Sequence, residues 1–332
     1  MGAHTRPTII VITPVRNEAW VLEAFLTHCS SWADHIILAD QHSTDGSREI
    51  AQRFPKVILI DNSDKEMNMA AARRRLFEAV DRIAGDKIVW AMDADEFLSD
   101  GFQRTAGWNA IIASPPGSIF CLKWQNLIGD YRHEIISAQS PAEWVCHFGP
   151  DEKTSALYAQ NEQRAIHEAR VPCVASATYT DIDDIRFVHL ARLNVRRLQN
   201  KNDFYQVSTV DKLPQSISAI SIYRFYHTRP GIQACDTPAK ITTADGADIS
   251  SLVHAADNGQ HYVEEMASIL REKGCKKFRR LCIWDNPDLR GVGIRYIPPL
   301  GDRMLCRYLQ FTDRFSKNIF VHVMDKVLKT FF

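Results

Sequence analysis

The sequence contains no Gly-x-Gly-x-x-Gly and no Gly-x-x-x-x-Gly-Lys-Ser/Thr. Without the first, a dinucleotide-binding dehydrogenase loses its phosphate turn; without the second, a P-loop NTPase loses its cradle. Net charge is missing too: 40 Lys and Arg balance 40 Asp and Glu. No global field recruits nucleic acid, so specificity must come from local sites. Eight Cys occur, never as Cys-x-x-Cys. That excludes a zinc ribbon and predicts no disulfide framework. Buried free thiols in a reducing compartment are expected, hence a cytoplasmic protein. No Asn-x-Ser/Thr acceptor occurs. The apolar run Ile9 to Val15 is broken by Thr13 and Pro14 and is too short for a leader or a membrane span. Arg6 stands where myristoylation wants Ser or Thr.

What is present is ordinary globular composition, 45% hydrophobic over 332 residues, enough for one large domain or two. The first hundred residues alternate strand and helix. Thr8–Ile12 is β-branched and ends at Thr13-Pro14. Glu18 to Cys29 carries Val21, Leu22, Phe25, Leu26 and Cys29 on one helical face. His35–Ala39 reads as a strand. A polar turn follows, where Ser43 or Thr44 caps a helix running to Arg53. Lys56–Ile60 is a strand. Met69, Ala72, Leu76, Ala79, Val80 and Ile83 form a helical stripe, and Ile88–Met92 is a fourth strand. This alternation predicts an α/β fold with a mostly parallel, Rossmann-like sheet flanked by helices. Ligands then bind beyond the carboxyl ends of the strands. The polar segments Thr13–Glu18, Asp40–Asp45, Asp61–Asp64 and Asp93–Glu96 fall there.

The fourth strand delivers Asp93 and Asp95, one residue apart. In extended chain, such residues project to the same side. Two carboxylates held together repel unless a cation joins them. Magnesium or manganese holding a diphosphate is one candidate, because both prefer carboxylate, water and phosphate oxygens. A plain polar turn is the other reading.

Taken as an ordered set, Ile12-Thr-Pro-Val-Arg-Asn-Glu18, Ala39-Asp-Gln-His-Ser-Thr-Asp-Gly-Ser47, Ala72-Arg73 and Met92-Asp-Ala-Asp-Glu96 resemble the nucleotide-sugar domain of family 2 glycosyltransferases. The resemblance spans roughly residues 8 to 100. Its Asp-Ala-Asp-Glu form, with a later His-Glu, is similar to the branch that includes lipopolysaccharide-core glucosyltransferases. It implies a GT-A fold, a Mn2+ or Mg2+ cofactor and a UDP-sugar as the first choice of donor. It further implies a glycan or lipid-linked acceptor in cell-envelope polysaccharide synthesis. Thr13 and Pro14 would line base and ribose, with Arg16 and Glu18 in the same motif. Asp40 would bond the pyrimidine base, Arg73 would lie near the diphosphate, Asp93 would face ribose and sugar, and Asp95 would bind the metal. Gln41, His42 and Arg74 depart from the usual pattern, which leaves the base open.

An inverting transfer needs a carboxylate to take the acceptor proton. Glu168, in the His-Glu pair, is the first choice; Asp151 and Glu152 are the alternative. A salt bridge between Glu168 and Arg170 is the structural reading of the same residue. His189 is either a third metal ligand or a hydrogen-bonded core residue. Arg192, Arg196, Arg197 and Lys201 recur at helical spacing, as an anion-binding face or a solvated one. Trp124, Trp144 and Tyr158 offer stacking surfaces for a sugar or belong to the core.

Residues 1–200 are expected to form the catalytic domain and 201–332 a mainly helical extension. From Leu305 to Phe331, apolar residues recur at helical spacing, and residues 301–332 hold six Lys or Arg against three Asp or Glu. One long basic amphipathic helix is expected, for peripheral membrane contact or a homodimer through residues 302–332. Two function classes stand: a metal-dependent glycosyltransferase, or a non-catalytic sugar- or nucleotide-binding protein on the same fold. A sugar-nucleotide pyrophosphorylase is the enzyme runner-up, disfavoured by the missing Gly-rich phosphate loop.

Overall fold

The computed structural model describes residues 6–61, 69–135, 142–159, 170–172, 177–212, 218–227, 232–316 and 318–332. The chain divides into two units, residues 1–193 with 233–255, and residues 194–232 with 256–332.

The first unit is built on a sheet whose parallel half follows the predicted alternation. β1 (Thr8–Val15), β2 (His35–Asp40), β3 (Val57–Asp61) and β4 (Lys87–Ala91) stand in the order β3-β2-β1-β4. α1 (Ala19–Ser30), α2 (Ser47–Gln52) and α3 (Met69–Val80) connect them. β1, β2 and β4 are continuous apolar runs because both faces are covered, whereas β3 at the edge leaves Ile58 exposed. Alternate residues feed two cores. Ile9, Val11, Ile36, Leu38, Ile88 and Trp90 join α1 on one face. Ile10, Ile12, Ile37, Ala39, Val89 and Ala91 join Leu76, Phe77 and Val80 of α3 on the other. Each large side chain so buried contributes roughly 1.5–3 kcal/mol.

β1 does not stop at Thr13-Pro14. It runs to Val15, with Pro14 opposite Ala39 of β2 and beyond the last β4 partner, Ile12. On that side no ladder donor is required of the proline.

The sheet continues through β5 (Glu96–Leu98), β6 (Ser118–Ile128), β7 (His133–Ile135), β8 (Ala142–Phe148), β9 (Thr178–Arg192) and β10 (Ile232–Ala234). β8 runs antiparallel to β4, β9 runs antiparallel to β5 and parallel to β6. α4 (Ala106–Ile112) and α5 (Thr154–Ala159) flank it. The segment from Gln233 to Ala255, expected in the helical extension, belongs to this first unit. Its Ile241, Ile249 and Val253 enter the core. Its Thr242 carbonyl accepts from Nδ1 of the fully buried His28 at 2.6 Å, and Nε2 of the same ring accepts from Leu98 N at 3.2 Å.

The second unit is helical: α6 (Val195–Lys212), α7 (Ala219–His227), α8 (Gln260–Lys273), α9 (Pro287–Gly291), α10 (Leu300–Thr312) and α11 (Ile319–Leu328). Leu305 and Leu309 of α10 pack on Ile220 and Tyr223 of α7. The expected single C-terminal helix is two. A 3-10 turn at Asp313–Phe315 ends the first, and the Asn318 side chain caps the second by accepting from Phe320 N at 2.8 Å. Cys282 and Cys306 form a disulfide, against the expectation of free thiols. Their Cα atoms lie 5.3 Å apart, within bridging range, although 24 residues separate them in sequence. Cys29, Cys121 and Cys146 are buried.

Candidate active site

The carboxyl ends of β1, β2 and β4 bring together the loops that sequence singled out. After β1, Asn17 adopts a left-handed backbone, φ 56°, and after β2 so does His42, φ 51°. Non-glycine residues seldom do this, and such strain concentrates at functional sites. The two loops are stitched side by side. Asn17 N donates to Ser43 Oγ at 2.9 Å and Thr44 N to Asn17 Oδ1 at 2.8 Å. Glu18 N donates to Ser47 Oγ at 2.9 Å and Ala19 N to Asp45 Oδ2 at 2.9 Å. Ser43 and Thr44 therefore serve the β1–α1 loop and do not cap α2, which starts after Gly46 at φ 93°. Asp45 supplies the free amide of α1 with an acceptor, as N-terminal amides demand.

Thr13 is buried, Pro14, Arg16 and Glu18 are half-buried, and Glu18 accepts from Trp20 Nε1 at 2.5 Å. Asp40 ends β2 and is 3% exposed. Its Oδ2 lies 3.4 Å from Arg48 Nη1, which also holds Asp61 at 2.7 Å. Its Oδ1 is buried with no hydrogen-bond partner among the described residues. A buried acceptor left unsatisfied is costly, so this oxygen is suited to take a donor from a ligand. Arg73 is half-buried in the first turns of α3.

Past β4 the chain turns at once: Glu96 N donates back to Asp93 O at 3.1 Å. Asp93 and Asp95 are thus not on one side of an extended strand, and each has its own cation or imidazole. Arg170 Nη2 lies 2.7 Å from Asp93 Oδ2. His189 Nε2 lies 3.6 Å from Asp95 Oδ1. His189 reaches this place because β9 pairs it with Glu96 of β5 and with Asn126 of β6. Its Nδ1 donates to Asn126 Oδ1 at 2.7 Å, which turns Nε2 toward Asp95. The ring stacks on Trp124 at 5.2 Å.

Glu96 has no solvent exposure. Arg170 grips it through Nη1–Oε2 at 2.7 Å and Nη2–Oε1 at 3.0 Å. Trp124 Nε1 donates to Oε1 at 2.9 Å, and the Asp93 amide donates to Oε2 at 2.8 Å. Burial pushes the Glu96 carboxyl up, and Asp93 and Asp95 add to this, while Arg170 opposes it. The Arg170 guanidinium lies over the Trp144 ring at 3.9 Å. Sequence reading gave neither Glu96 nor Arg170 a role here. A Glu directly before Phe97-Leu98 was a usable sign of a buried carboxylate; nothing local marks Arg170.

Several expectations change. Arg170 engages Asp93 and Glu96, while Glu168 lies outside the described residues. Asp151 and Glu152 follow β8, which is antiparallel to β4 with Phe148 opposite Lys87. They therefore stand at the start of β4, where Glu152 accepts from Gly149 N at 2.6 Å. A strand length, roughly 15–20 Å, separates that edge from Asp93. Tyr158 is a core residue stacked on Phe77 at 5.1 Å, and Trp144 is buried beneath Arg170. Arg196 and Arg197 are engaged by Asp288 and Asp257.

A divalent ion was expected at Asp95 and His189. Asp95 offers the carboxylate oxygen that manganese and magnesium both prefer; the imidazole nitrogen beside it suits the softer manganese better than magnesium. Among the described residues no cluster of three or more His, Cys, Asp or Glu is poised for a metal. Diphosphate and water oxygens would have to complete the sphere.

Residues 10–106 match Glycosyl transferase family 2. That stretch is less than a third of the chain. It runs from β1 to the start of α4 and supports a nucleotide-sugar-using glycosyltransferase of α/β, GT-A-like fold. No curated protein matches the chain. Glucosyl-3-phosphoglycerate synthase from Mycobacterium tuberculosis, solved with Mn2+, UDP and phosphoglyceric acid, is similar at 14% identity over 55% of this chain and 70% of its own, TM-score 0.33. The inositol-1-phosphate CTP transferase from T. maritima is similar at 7% identity, over 56% and 90%, TM-score 0.34. 4-Diphosphocytidyl-2C-methyl-D-erythritol synthase is similar at 15% identity, over 47% and 81%, TM-score 0.30. At these identities and scores none of them assigns a substrate.

Proposed function

We propose that the protein is an inverting, metal-dependent glycosyltransferase that moves a sugar from a nucleotide-diphosphate sugar, a UDP-sugar first, to a hydroxyl of a glycan or lipid-linked acceptor. The observation that carries this reading is the shared edge of Asp40 after β2 and the Asp95–His189 pair after β4, on strands flanking β1. One end of that edge suits a base and the other a diphosphate.

In this reading Asp40 Oδ1 accepts from the base, and Thr13 and Pro14 wall the ribose. Arg73 sits by the diphosphate. Asp95 and His189 would hold the cation, with Arg16 and Glu18 shaping the loop beside them. A bound divalent ion supplies positive charge to the departing diphosphate. Arg170 fixes Asp93 toward the sugar, so that this carboxylate does not have to be ordered during the reaction. Glu168 takes the proton from the acceptor hydroxyl as its oxygen attacks the anomeric carbon. Asp151 and Glu152 are not retained for that step, since they occupy the far edge of the sheet.

Thermal unfolding in the presence of UDP, GDP, CDP and TDP, each with and without Mn2+, tests the proposal. Ligands that bind the native state raise the melting temperature by mass action. UDP with Mn2+ should raise it most. No shift with any nucleotide diphosphate would contradict the reading. Glu168→Gln should cut turnover on the order of a hundredfold or more while donor binding stays unchanged.

A further inference from the structure

The exposed surface of α10 and α11 differs in kind from the rest of the second unit. On α11, Ile319, Phe320, Val323, Met324 and Val327 share one helical face, continued by Phe331. Ile319 is 71%, Phe320 78% and Phe331 71% exposed. On α10 and the turn after it, Leu300, Met304, Phe311 and Phe315 are exposed as well. Apolar side chains clustered to this extent mark an interaction surface.

The charges sort by sign. Asp302, Asp313 and Asp325, the acids of residues 300–332, are all buried. Asp325 accepts from Arg224 Nε at 2.8 Å and from Tyr308 Oη at 2.9 Å; Asp302 lies 3.3 Å from Arg279 Nε. The exposed charged side chains among the described residues of this stretch are Arg303, Arg307, Arg314, Lys326 and Lys329, all positive. Arg314 lies over the rings of Phe311 and Phe315 at 5.5 and 4.9 Å, so cation and apolar group are interleaved. Arg303 and Arg307 also border a cavity of about 280 Å3 with Arg290, Trp284 and Tyr296, where the Trp284 indole N–H has no partner among the described residues.

We propose that the α10–α11 face docks on an anionic phospholipid surface, its apolar side chains entering the headgroup boundary and its cations meeting lipid phosphates. An interfacial helix has this composition: apolar and aromatic on one side, Lys and Arg beside it. A second copy of the chain fits less well. A two-fold interface sets the same patch against itself, so this one would enclose its cations with no exposed acid of the same stretch to meet them. The sequence's modest excess of basic residues understated the effect, because every acid that offset it is turned inward.

Sedimentation of the full-length protein with vesicles of phosphatidylcholine alone, and of phosphatidylcholine with phosphatidylglycerol, tests this. The protein should sediment with the mixed vesicles, and less so in high salt without complete release. Arg314→Gln, Lys326→Gln and Lys329→Gln together should weaken binding to mixed vesicles by roughly fivefold per cation. Ile319→Ser, Phe320→Ser and Val327→Ser together should weaken it at least about tenfold. All six side chains are exposed, and circular dichroism should be unchanged; Phe320→Ser alone carries the comparison if the triple variant unfolds. Protein that stays in the supernatant, or variants that bind like the parent, would overturn the proposal. So would a dimer in sedimentation equilibrium that the serine variant abolishes.

Discussion

Arg170 binds Glu96 with both arms of its guanidinium, 2.7 Å on one side and 3.0 Å on the other. The pair joins residues 74 positions apart and is sealed from water on the carboxylate side. Breaking a buried pair from one end leaves a charge that nothing satisfies.

Arg170→Met should therefore cost about 3–5 kcal/mol in urea unfolding; Glu96→Met should cost less, because Arg170 keeps Asp93 at 2.7 Å. The double variant should lose clearly less than the two together, by at least about 1 kcal/mol, because neither charge is stranded. Strictly additive losses would show that the two side chains do not support each other.

Asp40 is expected to read the nucleobase through its Oδ1, which has no partner among the described residues. Asp40→Ala should weaken nucleotide diphosphate binding on the order of tenfold or more, the worth of a hydrogen bond to a charged group. Binding of Mn2+-pyrophosphate should not change. Calorimetric titration of both ligands decides it, and equal losses for the two would remove Asp40 from base recognition.

His28 predicts a pH dependence of stability. Burial depresses its pKa to about 4, partly offset by the Thr242 carbonyl. In the unfolded chain it titrates near 6.5, so between pH 6.5 and 4 the unfolded state binds the extra proton. Stability is then complete above about pH 6.5, falls as pH drops through that window and levels off below 4. The full effect is on the order of 3 kcal/mol. His28→Gln should be less stable at pH 7.5 yet flatter between pH 7 and 5 in urea unfolding. A parallel pH slope in the two proteins would refute this origin.

The parallel half of the sheet was legible because its signals are local. Each strand from Thr8 to Met92 is a short apolar run, and each helix has a period of its own. The candidate site was legible as far as its loops reach: Asp40, Asp93 and Asp95 follow strands that periodicity places. What was hidden depends on distant pairing. Nothing near Arg170 says that it reaches Asp93 and Glu96, and nothing near Asn126 says that it orients His189. The turn after Met92 was also hidden, because a carboxylate-rich tripeptide reads equally as extended chain. At the C-terminus, period alone joined two helices into one. The Ser316-Lys-Asn318 sequence, with a capping asparagine, was the local sign of the break.

Incubation of the protein with UDP-sugars and a hydroxyl acceptor or water, followed by identification of the nucleotide released, tests the central claim most directly. The account predicts nucleoside diphosphate, released with Mn2+ or Mg2+, abolished by EDTA and cut on the order of a hundredfold or more in Asp95→Asn. Release of nucleoside triphosphate on adding pyrophosphate, or diphosphate release that persists in EDTA and in Asp95→Asn, would contradict it.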